Sequence, residues 1–283
     1  MSSFQTLQFP IAVEGIGLHS GAQVRLEILP RENCGLIFTR ADLPSRPQIP
    51  ANVRCIGSTL HATVLKHNGA HVSTPEHLLA ALWSYGVTHA EIVVDGPEIP
   101  ILDGSAKIWC EFIEAAALQS LPGARPEYSL RAPVAVYERG GCVIGVPHGK
   151  LRVTADVEYE VDYLAAQVAA CDITAQSFRE ELAPARTFTL EKWVEPLRAQ
   201  NLIRGGTLEN ALVLGADAPL SPLRFPDELA RHKAMDALGD ISLLFGENGG
   251  VLRAHLIAVR AGHGLHQKWM QEVLCAGALE KVN

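Results

Sequence analysis

No stretch of this sequence approaches the ~18 consecutive apolar residues of a membrane-spanning helix, so no transmembrane segment is expected. Met1-Ser2-Ser3-Phe4-Gln5 has neither a basic region nor an apolar core, which argues against a secretory signal. The six cysteines (Cys34, Cys55, Cys110, Cys142, Cys171 and Cys275) are scattered and make no Cys-x-x-Cys pair. They read as reduced, mostly structural thiols of a cytoplasmic protein. Basic charge is also short: 24 Lys and Arg against 31 Asp and Glu leave a net charge of −7. That excludes the broad basic footprint of a nucleic-acid binder, although single basic residues remain available for a phosphate. Internal repeats and low-complexity tracts are not visible in the sequence. What is abundant is apolar character, 48% of residues against 19% charged, which marks a folded globular chain. At 283 residues it can form one large or two ordinary domains.

The most informative stretch runs from Phe225 to Asp240. Pro226 suits a first helical turn, two acidic residues follow, and a helix is expected from there. His232, Asp236 and Asp240 are spaced by four and therefore share one helix face. An imidazole and a carboxylate one turn apart can close on one metal ion, and a catalytic zinc takes three protein ligands plus water. The same spacing also describes an ordinary solvated face, so a third ligand from elsewhere has to decide.

Val72 to Leu82 supplies a candidate. Thr74 suits an N-cap, Pro75 the first helical position, and Leu78, Leu79 and Leu82 an apolar stripe. Glu76 and His77 then fall in the first turn, about 100° apart around the helix axis, so both can border one cavity. His77 is a candidate third ligand and Glu76 a candidate general base. The alternative is an acid favoured by the helix dipole beside an ordinary His.

Elsewhere, Val24–Leu29 and Gly35–Thr39 read as strands, and Gly15-Ile16-Gly17-Leu18-His19-Ser20-Gly21 before them as a hairpin loop. Ala90–Gly96 reads as a buried strand ending in a turn. A helix to about Ala117 follows, with Asp103 and Ser105 as capping residues. Leu121-Pro122-Gly123-Ala124-Arg125-Pro126 is the best linker and divides the chain into 1–121 and 127–283, each mixing strands and helices. In the second part, strands are expected around 128–137, 141–146 and 151–158, then a weakly patterned Ala-rich stretch from Leu164 to Ala170. A helix over Leu190–Gln200, strands Ala211–Leu214 and Val251–Val259, and a last helix from Gly262-His263-Gly264 complete the pattern.

Several motifs in this order resemble one family: the Gly15–Gly21 turn, Ser73–Leu79, Asp95–Ala106, Ala185-Arg186-Thr187-Phe188, Arg231–Asp240 and Ala261-Gly262-His263. The chain resembles the UDP-3-O-(3-hydroxyacyl)-N-acetylglucosamine deacetylases, zinc amidases of lipid A biosynthesis in Gram-negative bacteria, nearly from end to end. The resemblance implies an α+β fold of two α/β sandwich domains of similar topology with the active site at their interface. It implies one Zn2+ per chain on His77, His232 and Asp236, with Fe2+ as an alternative metal. It further implies Glu76 as general base, His263 as cationic acid and Asp240 as the carboxylate orienting it. Thr187 would help hold the oxyanion, Lys233 would lie near the substrate's phosphates, and Phe188 would line the glucosamine end. Lys233 follows His232 and is expected off the metal face but beside it. The partner implied is a UDP-linked acylated glucosamine, met by a cytoplasmic, monomeric enzyme with at most peripheral membrane contact and no nucleic acid.

Three positions depart from the family pattern. Asp162-Tyr163-Leu164-Ala165-Ala166-Gln167 stands where an insert with His-Pro shapes the acyl passage, and the insert reads as short. His89 and His266 each stand where Asn is usual. A zinc deacetylase of another acylated amino sugar would keep the catalytic set and change only the passage. A non-catalytic binding relative would be expected to lose Glu76 or His263, and both are present.

Overall fold

The computed structural model of the chain describes residues 3–33, 35–159, 161 and 163–282, which fold as an α+β protein. The first half contains β1 (Ser3–Leu7), β2 (Ile11–Ile16), β3 (Gln23–Pro30), β4 (Gly35–Arg40), β5 (Gln48–Pro50), β6 (Ile56–Ser58), β7 (Val64–His67), β8 (Ala70–Ser73), α1 (Glu76–Ser84), β9 (His89–Val94), α2 (Lys107–Ala116) and β10 (Leu118–Ala124). The second contains β11 (Glu127–Leu130), β12 (Val134–Glu138), β13 (Gly141–Pro147), β14 (Arg152–Val157), β15 (Gln167–Asp172), the single turn α3 (Ala175–Ser177), β16 (Phe188–Leu190), α4 (Glu191–Ala199), β17 (Leu212–Leu214), α5 (Glu228–Ile241), β18 (Val251–Val259), α6 (His263–Cys275) and β19 (Leu279–Lys281).

Both halves are built on one strand plan. The first sheet has the order β2-β3-β9-β4-β5, with β9 and β4 parallel and the other neighbours antiparallel. In the second, β12-β13-β18-β14-β15 repeats that order, and β18 and β14 are again the parallel pair. One helix precedes the shared strand (α1 before β9, α5 before β18) and one follows it (α2 and α6). A parallel pair needs a long crossover, and in each half that crossover contains the helix bearing the candidate ligands. Strands β14 and β18 alternate buried and half-buried residues, as expected when one face of a sheet packs on helices.

Helix α1 packs against α5, α5 lies on β14 and β15, and α6 lies on β12 and β13. Leu78, Leu79 and Leu82 of α1 share one hydrophobic core with Ala234, Met235, Leu238 and Ile241 of α5. The two helices meet where only glycine fits: a Cβ on Gly239 would stand 2.1 Å from the carbonyl oxygen of Glu76. This crossing sets Glu76 and His77 beside the ligand face of α5.

Several expectations change on folding. The 121–126 stretch is no open linker, because β10 runs to Ala124 and pairs antiparallel with β1. Pro122 is tolerated because this two-stranded ribbon is all edge. Arg125 is buried and donates from Nε to the Gly249 carbonyl at 2.9 Å. The expected 128–137 strand is two, β11 and β12, interrupted before Pro133, which cannot donate to a ladder. The Ala-rich stretch becomes β15, whose Ala169 and Cys171 face the core. Its small residues gave little strand signal. Thr74 does not cap α1; it sits at φ 58° and Pro75 takes the cap position. The expected role of Asp103 and Ser105 is kept in part: Ser105 Oγ accepts from the Lys107 N–H at the start of α2. Asp103 Oδ2 instead accepts from Arg224 at 2.9 Å. Cys55, Cys110, Cys142, Cys171 and Cys275 are free thiols; Cys34 and Asp162 lie outside the described residues.

Candidate active site

His77 Nε2 and His232 Nε2 stand 3.5 and 3.3 Å from the same oxygen, Oδ1 of Asp236. Those distances are long for hydrogen bonds, and Oδ1 is buried with no hydrogen-bond partner among the described residues. The three ligand atoms lie within 4.8 Å of one another, and all three side chains are buried. An unpartnered buried carboxylate oxygen facing two imidazole nitrogens is a donor set for a divalent cation. The surroundings suit that use. His232 Nδ1 donates to the Ala185 carbonyl at 3.1 Å, which turns Nε2 towards the centre. Burial pushes the His232 pKa down to about 3, so the ring is the neutral ligand a metal needs. Burial opposes the Asp236 carboxylate, yet the Lys233 ammonium beside it holds it well below the usual carboxylate range.

Glu76 borders this group from α1. Its carboxylate is buried, Oε2 has no partner among the described residues, and burial raises its pKa to about 7. Opposite stands His263, at the first position of α6, with Nε2 3.9 Å from Glu76 Oε1. His263 Nδ1 donates to Asp240 Oδ2 at 2.7 Å. Burial would lower the His263 pKa, but the Asp240 charge and hydrogen bond outweigh it and hold the pKa up at about 9. A buried carboxylate with an open lone pair and a charged imidazole thus face each other beside the candidate metal group.

A cavity of about 770 Å³ opens next to these residues. His77, His232, Asp236 and Glu76 do not line it themselves. Asp236, His232 and Glu76 lie one contact behind its wall, touched by the lining residues Lys233, Phe188 and His263 respectively, and His77 lies behind His232 and Asp236. Thr187 also lines it, held by its N–H to the Gly104 carbonyl at 2.7 Å. Lys233, which follows His232, lines the cavity beside the candidate ligands. Its Nζ donates to Asp236 Oδ2 at 2.8 Å, the side chain reaching forward over one turn, and it also lies 5.5 Å above the Phe188 ring. The apolar wall of the cavity comes from α4 and the 203–220 segment, through Val194, Leu197, Leu208, Val213 and Leu220. Nearby, Tyr159 lines the cavity, while Tyr163 donates to the Gly215 carbonyl and Gln167 Oε1 accepts from the Leu229 and Ala230 N–H groups of α5.

A family model described as UDP-3-O-acyl N-acetylglycosamine deacetylase matches residues 4–275. The chain belongs to this family. It is 44% identical over 254 residues to the UDP-3-O-acyl-N-acetylglucosamine deacetylase of Thermosynechococcus vestitus, covering 89% of this chain and 87% of that protein. To the protein of the same name from Nostoc sp. it is 39% identical over 276 residues, 95% of this chain and 97% of the relative. To that of Myxococcus xanthus it is 36% identical over 273 residues, with 95% and 86% covered.

Folding also brings to this deacetylase-family site residues that spacing did not single out. Thr63 donates to Asp240 Oδ1 at 2.6 Å, and His266 Nδ1 donates to the same Oδ2 that His263 uses, also at 2.7 Å. Glu98, fully buried, accepts from the N–H groups of His19 and Ser20 and from the Thr74 hydroxyl. It thereby ties the Gly15–Gly21 turn, which is the hairpin loop between β2 and β3, to the left-handed residue that opens α1. A β-branched residue at positive φ is costly and persists only where its surroundings fix it. Arg186 and Glu228 form a buried ion pair at 2.9 Å behind Thr187. His89 lies elsewhere, against Thr88 and Phe4.

Proposed function

We propose that this chain removes the N-acetyl group of UDP-3-O-(3-hydroxyacyl)-N-acetylglucosamine, releasing acetate in lipid A biosynthesis. The observation that carries the reading is the unpartnered Asp236 Oδ1 facing His77 and His232 beside the Glu76–His263 pair. His77, His232 and Asp236 would hold one Zn2+, with Fe2+ the alternative, and the ion would supply an acidified water and a Lewis acid for the acetyl carbonyl. Glu76 takes the proton of the attacking water through its open carboxylate oxygen. The Thr187 hydroxyl donates to the oxyanion from the cavity wall. His263, charged through Asp240, delivers a proton to the departing amine, which is otherwise a poor leaving group.

Substrate placement follows the cavity. Phe188 lines the glucosamine end, and the acyl chain lies along the α4 and 203–220 wall. Lys233 keeps Asp236 in place and turns its remaining N–H groups towards a phosphate. The two strand plans are read as domains 1–121 and 127–283 with the site between them. The substrate is a nucleotide sugar, so we place the enzyme in the cytoplasm; no described helix is long and apolar enough to cross a membrane. Acetate release from UDP-3-O-acyl-GlcNAc substrates of graded chain length tests the reading. Zinc-loaded protein that releases acetate from none of them overturns it.

A further inference from the structure

Asp240 serves two imidazoles at once. His263 Nδ1 and His266 Nδ1 each stand 2.7 Å from the same oxygen, Oδ2, while Thr63 Oγ1 donates to Oδ1 at 2.6 Å. The two rings meet edge to face, with centroids 6.1 Å apart and planes at 89°. They lie three residues apart on α6, hence on one face. His266 is 1% exposed, and its Nε2 has no hydrogen-bond partner among the described residues. A buried imidazole with only one nitrogen bonded, and that bond made to the carboxylate behind the acid, does more than fill space.

We propose that His266 is a positioning residue for the deacetylation: by donating to Asp240 Oδ2 it fixes the carboxylate for His263 and lowers the pH at which His263 releases its proton. The physical argument concerns shared charge. Each hydrogen bond received by Asp240 stabilises and disperses its negative charge, leaving less of it for the imidazolium of His263. Two donors on one oxygen also hold the carboxylate plane, so the His263 ring cannot swing away from Glu76. The other groups facing His263 are Glu76 from α1, Asp236 from α5, and His19 from the turn after β2. On the strand side, α6 meets β12 through the Lys268–Glu138 ion pair, which is half exposed at the surface. None of these touches Oδ2, so His266 is the neighbour through which this oxygen can be tuned alone.

The inference rests on His263 acting as the acid, so its test includes a readout independent of turnover. His266→Leu removes the donor and His266→Asn offers one of another shape. Zinc content should be unchanged in both. With His266→Leu, the basic limb of kcat/KM should move up by about half to one pH unit, because Asp240 then gives its charge to His263 alone. His266→Asn should fall between Leu and wild type. A basic limb unmoved in the Leu variant, or moved down, overturns the proposal. If the Leu variant does not fold, proton NMR of the wild type decides. The low-field Nδ1–H resonance of His266 should shift over the pH interval in which His263 titrates, and insensitivity to it overturns the proposal. That shift in a protein releasing no acetate would leave the carboxylate sharing intact and reject only the assigned reaction.

Discussion

Lys233 Nζ lies 2.8 Å from Asp236 Oδ2, on the opposite side of the carboxylate from the oxygen that faces His77 and His232. One carboxylate thus divides its two oxygens between an ammonium and a candidate metal. Burial opposes the charge of Lys233, but Asp236 raises its pKa, so the ammonium persists throughout the working range. Partners that orient a metal-bound carboxylate are typically worth 10–100-fold in metal affinity. Lys233→Ala should therefore weaken zinc binding by about that factor, as well as weakening use of the UDP-linked substrate. Competition with a chromogenic chelator measures the first effect. Unchanged zinc affinity would make Lys233 a substrate contact only.

Removing the metal should expose the same logic. Chelation should abolish turnover and zinc should restore it. His77→Ala, His232→Ala and Asp236→Ala should each lower bound metal as read by elemental analysis. Full occupancy in any one of them would strike that residue from the ligand set.

The base and acid should separate from the metal. Glu76→Ala and His263→Ala should keep zinc but each lose ~10²–10⁴-fold in turnover, the usual worth of general acid–base catalysis. As the proposed acid, with its pKa held at about 9, His263 should make kcat/KM fall as pH rises through about 9, and His263→Ala should flatten that limb. Stability follows the same sign. A His whose folded pKa is raised from 6.5 to about 9 contributes fully below pH 6.5 and loses that contribution as pH rises through 9. The gap in urea stability between wild type and His263→Ala should narrow over that window.

Gly239→Ala should damage both fold and site. The added Cβ would stand 2.1 Å from the Glu76 carbonyl oxygen, a backbone atom that cannot rotate away. Overpacking of this kind costs ~1–3 kcal/mol or more, and here it pushes α1 and its ligand off α5. A lowered urea midpoint with reduced zinc affinity is expected. Wild-type values for both would mean that the helices slide apart freely.

The proposed acyl wall predicts chain-length selection. Val213→Phe narrows the cavity at β17 and should lower kcat/KM for long acyl substrates more than for short ones, since each buried CH2 is worth ~0.8 kcal/mol. Equal loss at every length would place the acyl chain elsewhere.

Periodicity and motif order carried a large part of this protein. The four-residue spacing of His232, Asp236 and Asp240 placed them on one helix face because an α-helix leaves no alternative, and α5 indeed runs Glu228–Ile241. Alternation gave β3 and β18, and the run of leucines after Glu76 and His77 gave α1. These are local consequences of backbone geometry. What depended on long-range pairing was not legible. Short Ala-rich β15 becomes a strand only because β14 offers its edge, and a Pro-Gly stretch becomes β10 because β1 pairs with it. The two halves share no visible sequence repeat, since a strand plan constrains the buried pattern and not the residue identities. Their duplicated order appears only once the strands are paired. Likewise, Asp240 was visible as a partner for His263, but Thr63 and His266 on its two oxygens were not. Thr63 comes from 177 residues away, and the direction of an imidazole is fixed by packing rather than by spacing. The sequence determined which groups this protein has for its chemistry; the crossing of α1 over α5 at Gly239, which only tertiary packing fixes, decided that they face one another.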